Sequence, residues 1–166
     1  MKVYKNFIDQ IKFDDLASVI SSHQFTWYYN NIVEKESLSS DMTQNQNFQF
    51  THTFYNFHRI QSDHFNLLTP IFEKIKPIAL LRIKANMVTY TPKIFEHGMH
   101  VDFNDPKVTT GIFYINTNNG YTKFENGKKI KSIQNQYVEF NSQFKHTGTS
   151  CTDNAQRLVI NFNYIK

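Results

Sequence analysis

Hydrophobic and polar positions follow two different rhythms along this chain. In the first half, Leu16, Val19 and Ile20 recur at helical spacing behind Asp14 or Asp15, either of which can cap a helix. Phe65, Leu68, Phe72 and Ile75 mark a second helix, with Pro70 shifting its start or bending it and Pro77 ending it. Between them, Phe48, Phe50, His52 and Phe54 alternate with Gln49, Thr51 and Thr53, which predicts a half-buried strand. An aromatic stretch, 25–29, is expected to pack on the core. The polar, aperiodic stretch 34–47 is expected to be a loop and is a candidate lid. From residue 78 onward the rhythm is period two. Strands are predicted over 78–90, 108–116, 121–125, 129–133, 137–141 and 157–164, with turns at Asn118-Asn119-Gly120 and Asn126-Gly127.

This order predicts a mainly β, α+β fold: a β-sandwich or jelly roll with two helices from the N-terminal half against one face. Two predicted strands carry a further signal. In one, Leu81, Ile83, Ala85 and Met87 oppose Arg82, Lys84, Asn86 and Tyr90, with Val88 out of pattern. In the last, Leu158, Ile160, Phe162 and Tyr164 oppose Arg157, Asn161 and Asn163, with Val159 out of pattern. A polar face meets solvent or lines an internal pocket. The presence of Arg157 on that face favours the pocket.

Composition narrows the picture further. A chain of 166 residues, 40% hydrophobic and 19% charged, is expected to be a single globular domain over 1–166, with 1–77 supporting a β core over 78–166. The 16 Phe and 9 Tyr predict a ring-packed interior. The net charge of +4 is modest, and its densest cluster, Lys128-Lys129 with Lys131, reads as a hairpin edge rather than a nucleic-acid patch. The single cysteine, Cys151, allows no internal disulfide. No signal-like or membrane-length apolar run is present, so the expectation is a cytoplasmic protein with no membrane partner.

The chemistry concentrates at four positions. His100 and Asp102 lie two apart, so on an extended segment both point one way. His146 and Arg157 follow at later strand boundaries. Two histidines and one carboxylate make the facial ligand set of non-haem Fe(II) sites. An arginine behind such a set suits a co-substrate that brings its own carboxylate, because guanidinium grips carboxylate in a planar, two-pronged way. His97, at an odd offset from His100, is expected to point to the opposite face of a strand. His23, His52, His58 and His64 read as ordinary surface or core histidines, and Asp105 as a turn residue before Pro106.

Taken in order, His100-Val101-Asp102, Phe113-Tyr114-Ile115-Asn116, Gly120-Tyr121-Thr122-Lys123-Phe124, His146 and Arg157 resemble the pattern of the Fe(II)- and 2-oxoglutarate-dependent dioxygenases. Within them the chain looks like the prolyl 4-hydroxylase-like branch, which includes small phage-encoded members. The location implied for such a member is the host cytoplasm. The resemblance implies a double-stranded β-helix, with iron held by His100, Asp102 and His146. It implies that Arg157 and Tyr114 contact the distal carboxylate of 2-oxoglutarate and that Tyr90 contacts the co-substrate nearer the metal. Asn86 and Asn163 are further pocket candidates. The implied reaction consumes O2, with ascorbate a candidate reductant, releases succinate and CO2, and hydroxylates a peptidyl residue, proline-like, or a free amino acid. A nucleic-acid-demethylating branch carries a second Arg six residues after the first, where this chain has Asn163. Halogenating members lack the acidic ligand, which Asp102 supplies here. The competing reading is a jelly roll without catalysis that binds a ligand or partner.

Overall fold

The computed structural model describes residues 1–31 and 47–166. All of the candidate lid except Asn47 lies outside them. The described chain forms β1 (Lys2–Tyr4), α1 (Gln10–Ile20), β2 (Tyr28–Asn31), β3 (Phe48–Asn56) and β4 (Arg59–Ile60). A 3-10 helix (Asp63–Leu68) then runs into α2 (Thr69–Ile75). The strands that follow are β5 (Ala79–Thr89), β6 (Val108–Tyr114), β7 (Tyr121–Phe124), β8 (Lys129–Lys131), β9 (Gln136–Asn141), β10 (His146–Gly148) and β11 (Gln156–Ile165). Among the described residues no helix is long and apolar enough to cross a membrane.

The strands make two antiparallel sheets. The large one runs β1-β9-β6-β11-β5-β3-β2 with β4 beside β3, and the small one runs β10-β7-β8. Side-chain alternation divides the large sheet between two cores. Phe113, Tyr137, Leu158, Ile160, Phe162, Ile83 and Ala85 pack with Phe13, Leu16 and Ile20 of α1 and Ile71 and Ile75 of α2. The opposite parity of the same strands, Ile112, Tyr114, Val138, Phe140 and Val159, meets Phe124 and Ile130 of the small sheet. The result is a jelly-roll sandwich with both helices on one outer face, as the sequence predicts. Burying each large apolar side chain stabilises the fold by about 1.5–3 kcal/mol. A one-residue slip of β11 would turn that face to the cavity and drive Arg157 and Asn163 under the helices, so the register is strongly fixed.

Local chemistry explains the differences from the expected elements. The cap of α1 is Asp9, not Asp14 or Asp15: its carboxylate accepts from the N–H groups of Ile11 and Lys12, and the helix starts a turn earlier. Pro70 sits in the first turn of α2, where a missing N–H costs nothing, so the expected helix splits into a 3-10 and an α segment. Lys76, with φ 47°, ends it. The edge strand β2 covers the second half of the aromatic stretch, pairing Tyr28 with Thr51 and Asn30 with Gln49.

Glu139 ties the N- and C-terminal strands together. Its carboxylate accepts from the hydroxyls of Tyr4 and Tyr164 at 3.1 and 3.2 Å and from Lys166 Nζ at 2.9 Å. Burial pushes the carboxyl up, but Lys166 and the two hydroxyls outweigh it and hold it below its usual value. A carboxylate depressed in the folded state stabilises the fold at neutral pH, and that contribution is lost as pH falls through its folded pKa. Glu139→Gln is therefore expected to be less stable than the parent chain at pH 7. The gap should close as the pH is lowered below about 4.5, the carboxyl's ordinary value; denaturant melts at pH 7 and pH 3.5 check it.

Candidate active site

The two histidines are set by backbone pairing. His100 N–H donates to His146 O at 3.0 Å, and His146 N–H returns the bond to His100 O at 2.9 Å. Each ring is then turned by its own chain: His100 Nδ1 lies 3.1 Å from Gly98 O, and His146 Nδ1 lies 2.9 Å from Phe144 O. A ring nitrogen that faces a carbonyl carries the proton, so in the neutral form of either ring Nε2 is the lone pair. Burial pushes His146 down from its usual value, more than the Asp102 carboxylate pulls it up, which favours the neutral ring that a metal requires. One ligand atom from each of His100, Asp102 and His146 lies within 4.8 Å of the others. This donor set fits Fe(II).

Asp102 is braced on both oxygens. Oδ1 accepts from Arg82 Nη2 at 3.0 Å, and Oδ2 accepts from Thr110 Oγ1 and Asn163 Nδ2, each at 3.0 Å. Arg82 Nε also donates to Asn163 Oδ1 at 3.1 Å, closing the ring of contacts. Burial pushes the Asp102 carboxyl up, but His146, Arg82, Asn163 and His100 together hold it below its usual value. Outer partners that orient a metal ligand are typically worth roughly 10–100-fold in affinity or activity. Arg82→Gln is expected to weaken Fe(II) binding within that range while leaving the fold intact; an anaerobic metal titration measures it.

Arg157, the second residue of β11, is 3% exposed. Nε donates to Ser132 Oγ at 2.8 Å and Nη2 to Thr122 Oγ1 at 3.2 Å, and the guanidinium carbon stands 5.8 Å from the centre of the Tyr114 ring. Burial pushes it down from its usual value, and no carboxylate among the described residues opposes it. A buried cation without an anion is costly unless a ligand supplies one. The fit of its stem depends on Gly120, where a Cβ would fall 2.7 Å from both Arg157 Cδ and the Ser150 carbonyl oxygen.

His100, Asp102, His146 and Arg157 all line one cavity of about 400 Å³. The polar parity of β5 and β11 forms much of its wall, through Arg82, Lys84, Asn86, Arg157 and Asn161. Val88 and Val159, the two exceptions to that polar pattern, line it as well. Asn86 faces the cavity as expected. Three other expected residues are placed differently. Tyr114 is fully buried beneath Arg157, and its hydroxyl donates to Thr122 Oγ1 at 2.9 Å rather than opening into the cavity. Asn163 braces Asp102 instead of lining the cavity. Tyr90 is 53% exposed and lies outside it.

Sequence reasoning passed over several positions around the candidate site. Arg82 and Thr110 brace a ligand; Thr122 and Ser132 aim Arg157. His97 lines the cavity, although it is not part of the three-ligand cluster. The segment around it is not a strand: His97 donates its N–H to Gly148 O, and only single bridges pair Glu96 with Thr149 and His100 with His146. The alternation rule therefore does not govern which way His97 points. Burial, with Arg157 and His100 nearby, lowers it to about 4, so it is neutral at pH 7.

The sequence matches no protein-family model and no curated protein. Solved structures do match in fold. A prolyl hydroxylase from Trichoplax adhaerens, in complex with a hypoxia inducible factor oxygen degradation domain peptide fragment, superposes with a TM-score of 0.66 at 14% identity, covering 99% of this chain and 82% of that one. A Pseudomonas putida prolyl-4-hydroxylase gives 0.56 at 12% identity, covering 99% and 92%. The non-haem epimerase SnoN from nogalamycin biosynthesis, in complex with Fe3+, alpha ketoglutarate and nogalamycin RO, gives 0.67 at 9% identity, covering 99% and 78%. The chain thus has the double-stranded β-helix fold found in 2-oxoglutarate and iron oxygenases.

Proposed function

We propose that this protein is an Fe(II)- and 2-oxoglutarate-dependent oxygenase that hydroxylates a C–H bond of a peptidyl or small-molecule substrate. The observation that carries the reading is the pairing, in one cavity, of a His-Asp-His ligand set with a buried arginine that has no anionic partner among the described residues. Either feature alone has other uses. Together they match the two needs of a diacid co-substrate that chelates a metal at one end and must be held at the other.

The residues divide the work. His100 and His146 would give Nε2 lone pairs to the ion, with Gly98 O and Phe144 O fixing the tautomers. Asp102 would give a carboxylate oxygen and partly neutralise the cation's charge. Arg157, aimed by Thr122 and Ser132, would take the distal carboxylate of 2-oxoglutarate. Val88, Val159 and Ile112 give the cavity apolar wall, which keeps water from competing for these charge-assisted contacts. When bound, Fe(II), 2-oxoglutarate and O2 supply the oxidising chemistry that converts C–H to C–OH with release of succinate and CO2.

The reading predicts that the protein supplied with Fe(II) converts 2-oxoglutarate to succinate in air, and that chelation stops it. Product mass separates the outcomes: a gain of one oxygen marks hydroxylation, and an unchanged mass with altered stereochemistry marks an epimerase like SnoN. Absence of any iron-dependent succinate would count against the oxygenase reading and favour a binding module.

A further inference from the structure

The substrate side of the cavity is built from side-chain amides, and three of its polar atoms have no partner. Asn86 in β5 is 7% exposed, and its Oδ1 makes no hydrogen bond. Asn161 in β11 also leaves Oδ1 unsatisfied. His97, 7% exposed, holds Nδ1 3.3 Å from Asn47 Oδ1, which makes Nε2 the accepting nitrogen, and Nε2 is unpartnered too. All three side chains line the cavity. Strand register spreads them into a floor rather than a single contact. Asn86 is level with Val159 on one side and Thr51 on the other, and Asn161 is level with Lys84. Beyond them Gln49 of β3 and Asn30 of β2 continue the amide surface toward the sheet edge.

Buried polar atoms without partners are rare in folded proteins, and each lost partner is costly. Each of the three atoms is closed to solvent in this structure, so a ligand in the cavity meets it as the side chain turns; three around one cavity point to such a ligand. 2-Oxoglutarate does not: at neutral pH it carries no donor, and Nε2 of His97 and the two amide oxygens are acceptors. The ligand's charge is constrained as well. Asp102 is the one carboxylate among the described residues lining the cavity, against Arg82, Lys84 and Arg157. A cationic group is disfavoured there.

We propose that the substrate group held over this floor is neutral and both donates and accepts hydrogen bonds, as a carboxamide or a hydroxyl does, and is not a prolyl ring. The proposal rests on the oxygenase reading and names its substrate class. An asparagine side chain presents one donating and one accepting end whichever way it is turned, so a second carboxamide is its natural complement, and a hydroxyl is the smaller equivalent. A pyrrolidine ring supplies no donor and would leave all three atoms orphaned.

The test uses the protein loaded with Zn(II) in place of iron, with 2-oxoglutarate present, so that no turnover occurs. The N′,N′-dimethylamides of N-acetylasparagine, N-acetylserine, N-acetylleucine and N-acetylproline, whose backbones carry no primary carboxamide, are titrated in turn while the side-chain NH2 signals of Asn86 and Asn161 are followed by NMR. The asparagine or serine probe is expected to shift both signals, whereas the leucine and proline probes leave them in place; which of the two polar probes binds more tightly distinguishes carboxamide from hydroxyl. Asn86→Leu and Asn161→Leu should each weaken the favoured polar probe about tenfold and narrow its advantage over the leucine probe. Equal or tighter binding of the proline probe, or no movement of either signal with any probe, overturns the proposal. Failure of 2-oxoglutarate itself to shift the Arg157 guanidinium signals would be a different result, removing the oxygenase reading on which the proposal stands.

Discussion

His100→Ala is expected to abolish iron-dependent turnover while the chain stays folded. The loss should exceed the roughly 10–100-fold typical of partners that only orient a ligand, because the substitution removes a ligand itself. Stability should change little. His100 is only partly buried and belongs to neither core cluster, and the backbone bonds it exchanges with His146 do not depend on the imidazole. His146 is a less clean target: its ring stands 4.8 Å from that of Phe140 and 6.1 Å from that of Phe124, so its truncation also opens a hole between the sheets. Asp102→Ala should lose turnover too, but it leaves Arg82 without its carboxylate. Parallel thermal melts and succinate assays of His100→Ala check both halves of the expectation. Turnover near that of the parent chain would remove His100 from the ligand set.

The second large effect is at Arg157, and it has opposite signs in function and stability. Replacing one partner of a buried, hydrogen-bonded charge pair costs about 2–5 kcal/mol. Arg157→Met should therefore raise the 2-oxoglutarate requirement by about two orders of magnitude, at roughly 1.4 kcal/mol per tenfold. Without co-substrate, however, Arg157 is a buried cation with two hydroxyl acceptors and no anionic partner among the described residues. Methionine keeps much of the stem over Tyr114 and removes the charge, so the ligand-free variant should melt no lower than the parent chain. 2-Oxoglutarate with metal should raise the melting temperature of the parent and do so far less in the variant. Equal 2-oxoglutarate requirements in the two proteins would show that another group holds the diacid.

Much of this arrangement was legible because strand parity carries it. Arg82, Lys84, Asn86, Arg157, Asn161 and Asn163 fall on one face by counting alone, and that face proved to be the cavity wall and its brace. Val88 and Val159 looked like errors in the pattern; they are the apolar patch of the same wall, paired across β5 and β11 with Arg157 and Asn86 respectively. What parity could not give was depth. Asn163 and Asn161 share a face, yet one is buried against Asp102 and the other opens to the cavity, because Thr110 of β6 and Asp102 close over the end of β11. Tyr90 follows the last residue of β5, where the chain leaves the sheet, so counting alternation past Thr89 placed it wrongly relative to the cavity. His97 was discounted by a strand rule applied to an irregular segment. The short strands β1 and β10, three residues each, carry too little pattern to be seen. They exist because β9 and β7 offer them backbone partners from far along the chain.

The most direct test of the shared iron and co-substrate site is anaerobic addition of Fe(II) and then 2-oxoglutarate, with the visible spectrum recorded at each step. The account predicts a charge-transfer band that appears only when both are present, that is lost in His100→Ala, and that needs far more 2-oxoglutarate in Arg157→Met. No band at saturating Fe(II) and 2-oxoglutarate, or a band unaffected by either substitution, would contradict it.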